Sequence, residues 1–323
     1  MIYIRKPGLS PWFNLAAEEF VVKHLDDEVL MLWENDWCVV AGKHQHAYAE
    51  INTDEVFRRG IPVIRRISGG GTVVHAPGNI NYSLITDNRK SHFKIDFKAA
   101  TEPIVSFLKQ FNLTVEVTGI SNLSVNNLKI SGNAAHVFKN RSLHHGTLLF
   151  DADLRIISAL INRPENPYES AAIPSKPAPM ANIAALLNTK ITLSDFKLQL
   201  QEYLINTLNI NFIRDFTESE IKAISQLADE KYRQDRWNFG YAPDYTFRRT
   251  IHLSNANADV VMTVKKGIVT HFEARGNTLF DPLTGLLTGV PHVREVFAEK
   301  IFVSGYSALF SEADKNQLIS QLF

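Results

Sequence analysis

The stretch that decides the fold is Arg65–Tyr82, RRISGGGTVVHAPGNINY. PVIRR runs into it as a short strand, and TVVHAPGNINYSL leaves it with strand-like composition. Gly69, Gly70 and Gly71 therefore join strand to strand, with Arg65 and Arg66 just before them. A glycine run lets a ligand lie against the backbone, and exposed N–H groups form an anion nest. Arginine is a fixed donor suited to phosphate or carboxylate. Glycines alone fit a bulge or tight turn equally well; the two arginines move the reading modestly towards anion binding. No Gly-Lys-Ser/Thr follows, as a nucleotide P-loop requires. No helical pattern follows, as a dinucleotide-binding turn requires.

Outward from the loop, helix and strand signals alternate irregularly. SPWFNLAAEEFVVKHL has the Ser and Pro of a capped helix start. VLMLWEN and WCVVAG read as short strands around an Asn-Asp turn. Phe97, Ala100, Thr101, Ile104, Leu108 and Phe111 form a helical stripe. LTVEVTG, LSVNNLKISG and LHHGTLLF read as further strands. Five of the 13 prolines fall in residues 162–179, which excludes a regular element there. A loop of that length in a compact domain is commonly functional. Helical patterns follow near 194–208 and 217–232. After RWNFGYAPDY the pattern becomes an antiparallel meander, RRTIHL, ADVVMTVKKG and IVTHFEARG, with Lys266-Gly267 at one turn, then two helices. The expected architecture is α+β: a large domain over 1–242 with a mixed sheet flanked by helices, and a small α+β domain over 243–323.

With 323 residues, the chain has room for this pair of domains. Lys+Arg and Asp+Glu are 34 each, so the basic excess of a duplex-binding protein is missing. The lone Cys38 excludes an internal disulfide and fits a reducing compartment. The N-terminus lacks the apolar core of a signal peptide, and no apolar run reaches about 18 residues. The expectation is a soluble cytoplasmic protein that binds neither nucleic acid nor membrane.

Two further segments carry chemistry. LKISGNAAH places Lys129 at a strand end before Ser-Gly-Asn; by itself this fits an exposed edge lysine better than a cleft ammonium. HHGTLLFDAD contains His144 and His145, but adjacent strand residues face opposite ways. They cannot chelate one ion together, and no third zinc ligand stands at typical spacing.

Taken together, RRISGGGTVVHAPGNINY, LKISGNAAHV and HHGTLLFDADL, in that order, resemble lipoate–protein ligases of the long two-domain bacterial form. PWFNLAAEE, LWENDWCVVAGKHQHAYAEIN and RWNFGYAPDY extend the resemblance over the full length. It implies a two-step reaction. Lipoate and ATP give lipoyl-adenylate and pyrophosphate, and a carrier lysine then takes the acyl group, releasing AMP. It further implies that Arg66, Gly71, Thr72, Val73 and Val74 hold ATP. Lys129 would contact both the lipoate carboxyl and the α-phosphate. Trp33, Ser68, Gly70 and His145 would line the lipoyl pocket. Mg²⁺ is implied, yet where the family carries Asn-Asp this chain has Ser121-Asn122, leaving Asn122 as a possible oxygen donor. The implied partners are lipoyl domains of 2-oxoacid dehydrogenase acyltransferases and the glycine-cleavage carrier protein. Residues 162–179 correspond to a loop that closes on the site in this family, here richer in proline and poorer in arginine.

The competing reading within the same fold is an ATP-independent octanoyl- or lipoyltransferase, which needs a thiolate nucleophile. Cys38 lies in an apolar strand, and no cysteine follows Lys129.

Overall fold

The computed structural model describes residues 1–5, 8–91, 95–161 and 165–323; residues 162–164 of the proline-rich segment lie outside that set. The large sheet is mixed and, among the described residues, has eight strands. Its order is β12 (Phe212–Asp215), β1 (Ile2–Arg5), β2 (Val29–Trp33), β6 (Asn79–Asp87), β10 (Arg141–Leu149), β9 (Leu128–Phe138), β8 (Asn122–Val125), β7 (Glu116–Thr118). β1 runs parallel to both β12 and β2, and the remaining pairs are antiparallel.

Strand alternation sends side chains to two faces, each covered by helices. Ile4, Met31 and Leu143 pack beneath the Pro11–His24 and Glu218–Leu227 helices. Leu30, Leu32 and Leu148 pack beneath the Phe97–Lys109 and Leu193–Thr207 helices. Ser10 caps the first of these helices, accepting from Phe13 N–H, and Pro11 pre-sets its first turn.

β2 and β3 (Cys38–Ala41), adjacent in sequence, belong to different sheets. β3 is the centre of a three-stranded sheet between β4 (Val63–Arg65) and β5 (Val73–His75). LSVNNLKISG is a hairpin rather than one strand, because Asn126 and Asn127 both take positive φ, as a two-residue hairpin turn requires. The proline-rich segment contributes a three-residue strand, β11 (Tyr168–Ser170). It pairs with β13 (Tyr245–Leu253), which continues antiparallel into β14 (Ala256–Lys265) and β15 (Ile268–Arg275). Lys266 and Gly267 turn between the last two. Among the described residues three α-helices follow the meander, not two.

One apolar core joins β13–β15 to β3 and β5 and encloses His292. His292 Nδ1 lies 2.6 Å from the Tyr245 hydroxyl, and Nε2 lies 3.0 Å from the Leu322 carbonyl. The carbonyl can only accept, so Nε2 carries a proton. Burial pushes its pKa down from 6.5 to about 4. The unfolded chain therefore binds the extra proton first, and stability falls with acidification from pH 6.5 towards about 4. Thermal melts over that window should show a falling Tm, and His292→Phe, which cannot titrate, should flatten the fall.

Candidate active site

β4 and β5 flank β3, and β4 runs parallel to it, so the chain leaving β4 must cross the end of β3 to reach β5. The glycine loop is that crossing. Gly70 takes φ +86°, and its carbonyl oxygen lies 1.9 Å from where a Cβ on Gly42 would stand. The approach that excludes a side chain is thus backbone on backbone, with Gly42 as much a part of it as the triplet. Lys43 N–H donates to Ser68 O (2.8 Å), and Arg66 N–H donates to Ala41 O (3.0 Å), tying the loop to the strand end.

Arg66 sits inside the loop it precedes. Its Nε donates to Ser68 Oγ (2.9 Å), Nη1 to Val40 O (3.1 Å), and Nη2 to Gly69 O (2.6 Å) and Gly71 O (2.8 Å). Arg65, read from sequence as a second anion donor, is fully buried and has another task. It donates to the carbonyls of Gly42, Lys43, Gln45, Trp237 and Asn238. It locks the 42–45 turn to the segment leading into the C-terminal sheet. Burial lowers both guanidinium pKa values to about 10, which leaves them charged at neutral pH.

The proline-rich segment lies on this loop through Ser175. Its Oγ accepts from Thr72 N–H (2.9 Å) and Gln45 Nε2 (3.0 Å) and donates to the Glu50 carboxylate. Gln45 Oε1 in turn accepts from Thr72 Oγ1 (2.7 Å). A Cβ on Gly71 would stand 2.9 Å from Ser175 Oγ. Val73 and Val74 begin an edge strand, and the Val74 side chain is core.

Lys129 stands where the β8–β9 register shifts, one residue into β9. Its backbone N–H donates to Pro179 O (2.8 Å), and its carbonyl accepts from Ala181 N–H (3.0 Å), so the far end of the proline-rich segment fixes it. The stem is half-buried rather than exposed. Desolvation, with the charge of Arg66 second, lowers its ammonium pKa. Among the described residues no acceptor pairs with Nζ. A Cβ on Gly132 would lie 3.0 Å from Nζ and 3.9 Å from Asn122 Oδ1, so both groups border one small space above that glycine.

His145 faces the same side as the loop: Nε2 lies 2.6 Å from Ser68 Oγ, and Nδ1 lies 2.9 Å from the Glu18 carboxylate. Trp33 Nε1 donates to Ser83 Oγ (2.8 Å), which donates to the same carboxylate (2.5 Å). His144 points to the opposite face, against Tyr82 and Phe97, where burial pushes its pKa to about 3.

An arginine-braced glycine loop, a lysine whose ammonium has no acceptor among the described residues, and a buried polar chain thus lie together, Arg66 acting on Lys129 and Ser68 bonding His145. A family model described as the lipoyl protein ligase A/B catalytic domain matches residues 10–205. The chain belongs to that family. Lipoate-protein ligase LplJ of Bacillus subtilis is 31% identical, with all of both chains covered. Lipoate–protein ligase 1 of Staphylococcus aureus is 31% identical over 96% of each chain. The solved structure of lipoate-protein ligase A bound with ATP is similar at a TM-score of 0.60 and 25% identity, covering 74% of this chain and 98% of that one. Plasmodium falciparum LipL1, solved with lipoate, shares the fold at a TM-score of 0.63 and 20% identity, over 93% of this chain and 94% of that one.

Within this ligase-family chain, sequence reading missed Glu18, Gly42, Gln45, Glu50, Ser83 and Ser175. Glu18 left a trace: it continues the Leu15, Val21, Val22 face of its helix, where a carboxylate is out of place unless something binds it. Among the described residues no three His, Cys, Asp or Glu side chains gather as a metal site.

Proposed function

We propose that this protein joins lipoate to a lysine of carrier domains in two steps driven by ATP. A lipoate carboxylate oxygen attacks the α-phosphorus, and pyrophosphate leaves. The carrier lysine amine then attacks the acyl carbon, and AMP leaves. The observation that carries this reading is Lys129, a half-buried ammonium with no acceptor among the described residues, close enough to the arginine-braced glycine loop to feel the charge of Arg66. Two anions must meet for the first step, and a fixed unpaired cation lowers their repulsion where charge develops at phosphorus. We assign Lys129 to the carboxylate and α-phosphate. We assign Arg66, through the loop it shapes, with Gly71, Thr72, Val73 and Val74, to ATP, and Trp33, Ser68, Gly70 and His145 to the acyl chain. We assign Asn122, whose side-chain oxygen borders the Lys129 space, as the protein group that would hold Mg²⁺, which would neutralise phosphate charge there.

The same reading takes residues 1–242 as the catalytic unit and 243–323 as an accessory one, in the cytoplasm. Its acceptors are lipoyl domains of 2-oxoacid dehydrogenase complexes and the glycine-cleavage carrier protein. A thiolate-dependent transferase is disfavoured because Cys38 is buried and its thiol pKa is pushed up to about 12. The test is pyrophosphate release from ATP and free lipoate, followed by the mass of an added apo lipoyl domain. Lipoate-dependent pyrophosphate and a lipoyl mass shift establish the reading; acyl transfer from an octanoyl carrier without ATP overturns it.

The Ser175 contact gives a second outcome. Its Oγ occupies the Thr72 N–H that a phosphate oxygen would take. Ser175→Ala should tighten ATP binding about five-fold, the worth of about one net hydrogen bond. Calorimetric titration checks this, and an unchanged or weaker Kd would show that the nucleotide does not displace Ser175.

A further inference from the structure

We infer that Glu18 is the positioning residue of the acyl pocket, fixing through hydrogen-bond direction the protons of His145 and Ser68 and the place of Trp33. This rests on the assignment of those three residues to the acyl chain.

Glu18 is 1% exposed, and a carboxylate that deep is tolerated only with its oxygens satisfied. Two arms end on it. In one, Trp33 Nε1–H, which can only donate, gives its proton to Ser83 Oγ, so Ser83 spends its single hydroxyl proton on Glu18. In the other, Arg66 Nε–H, also donor only, points at Ser68 Oγ. The Ser68 oxygen has room for a second donor, but Ser68 is fully buried and its own proton needs an acceptor; among the described residues that acceptor is His145 Nε2. Nε2 can accept only from a neutral ring protonated on Nδ1, and Nδ1 lies 2.9 Å and 3.0 Å from the two Glu18 oxygens. With Glu18 ionised, this is the arrangement that leaves no donor in either arm unsatisfied, and all run towards one carboxylate.

The consequence is chemical. The polar groups beside the acyl slot spend their protons on one another, so they offer no unspent donor to a hydrocarbon chain. Glu18 does this without itself needing to touch the chain. In Glu18→Gln the charge is lost: one amide oxygen, at the position both arms share, still accepts from Ser83 and from Nδ1, while an NH₂ replaces the oxygen that stood 3.0 Å from Nδ1. The Nδ1 bond loses its charge assistance and the ring is held less firmly.

The test joins a spectrum to kinetics. Side-chain ¹⁵N NMR of the ligand-free wild type should show His145 neutral and protonated on Nδ1, with a downfield proton typical of a bond to a buried carboxylate. In Glu18→Gln that proton should shift upfield or be lost. The KM for lipoate should rise about ten-fold, with the KM for ATP nearly unchanged. A wild-type ring protonated on Nε2, or an Nδ1 proton unmoved in Glu18→Gln, overturns the inference. If the proton moves as expected but the lipoate KM does not, the inference falls through the pocket assignment beneath it. Should Glu18→Gln not fold, the wild-type spectrum still decides the proton map. Ser83→Ala then cuts only the Trp33 arm and should leave the Nδ1 proton in place; its loss would overturn the inference.

Discussion

Lys129→Ala is expected to lower lipoyl-adenylate formation by about 10²–10³-fold, the scale on which a single donor to developing charge contributes. Among the described residues Nζ has no partner to lose, and deleting a half-buried stem removes limited packing, so Tm should stay within a few degrees. Fold and function should therefore separate in one variant. Lys129→Arg should not restore the rate, because a planar guanidinium fork on a longer stem replaces a point charge and puts its donors elsewhere. The pH profile gives an independent check. The ammonium is the useful form and its pKa is lowered, so the rate should fall as pH rises through a value below the ordinary 10.5. Pyrophosphate release against pH, for wild type and both variants, measures all of this. A folded Lys129→Ala protein with near-normal rate would remove Lys129 from the chemistry.

The uneven legibility of the sequence has a physical basis. The glycine loop and the meander turn at Lys266-Gly267 were readable because backbone conformation and local pattern determine them; Lys129 stood out only through the family resemblance, since its own segment reads as an exposed edge lysine. The α+β class was readable for the same reason. What escaped depends on partners far along the chain. Arg65 and Arg66 are identical as letters, yet one turns into a cage of carbonyls from residues 42–45 and 237–238, and the other into its own loop. Ser175 matters only because Glu50 and Gln45 wait 125 and 130 residues away. Glu18 hid inside a helix that reads well without it. β2 and β3 looked like neighbours, and only the sheet order separates them.

Gly42→Ala should damage activity more than any substitution in the visible triplet. The added Cβ would stand 1.9 Å from the Gly70 carbonyl oxygen and 3.0 Å from its carbon, backbone atoms that cannot swing aside as a side-chain tip can. Either the end of β3 or the crossing loop must move. If the loop moves, it carries Gly69 and Gly71, whose carbonyls hold Arg66 Nη2. Displacement of about 1 Å at a positioned group costs on the order of 10²-fold in rate. Overpacking of this kind typically costs about 1–3 kcal/mol in stability. Gly69→Ala is the contrast, since no atom lies within 4 Å of its added Cβ and its φ is not positive. It should melt and adenylate much like the wild type. Adenylation rates and melts of the two variants decide whether the glycines serve open space for a ligand or the crossing of two strands. Loss in Gly69→Ala with a normal Gly42→Ala would mean that a bound molecule, not the chain itself, forbids the side chain.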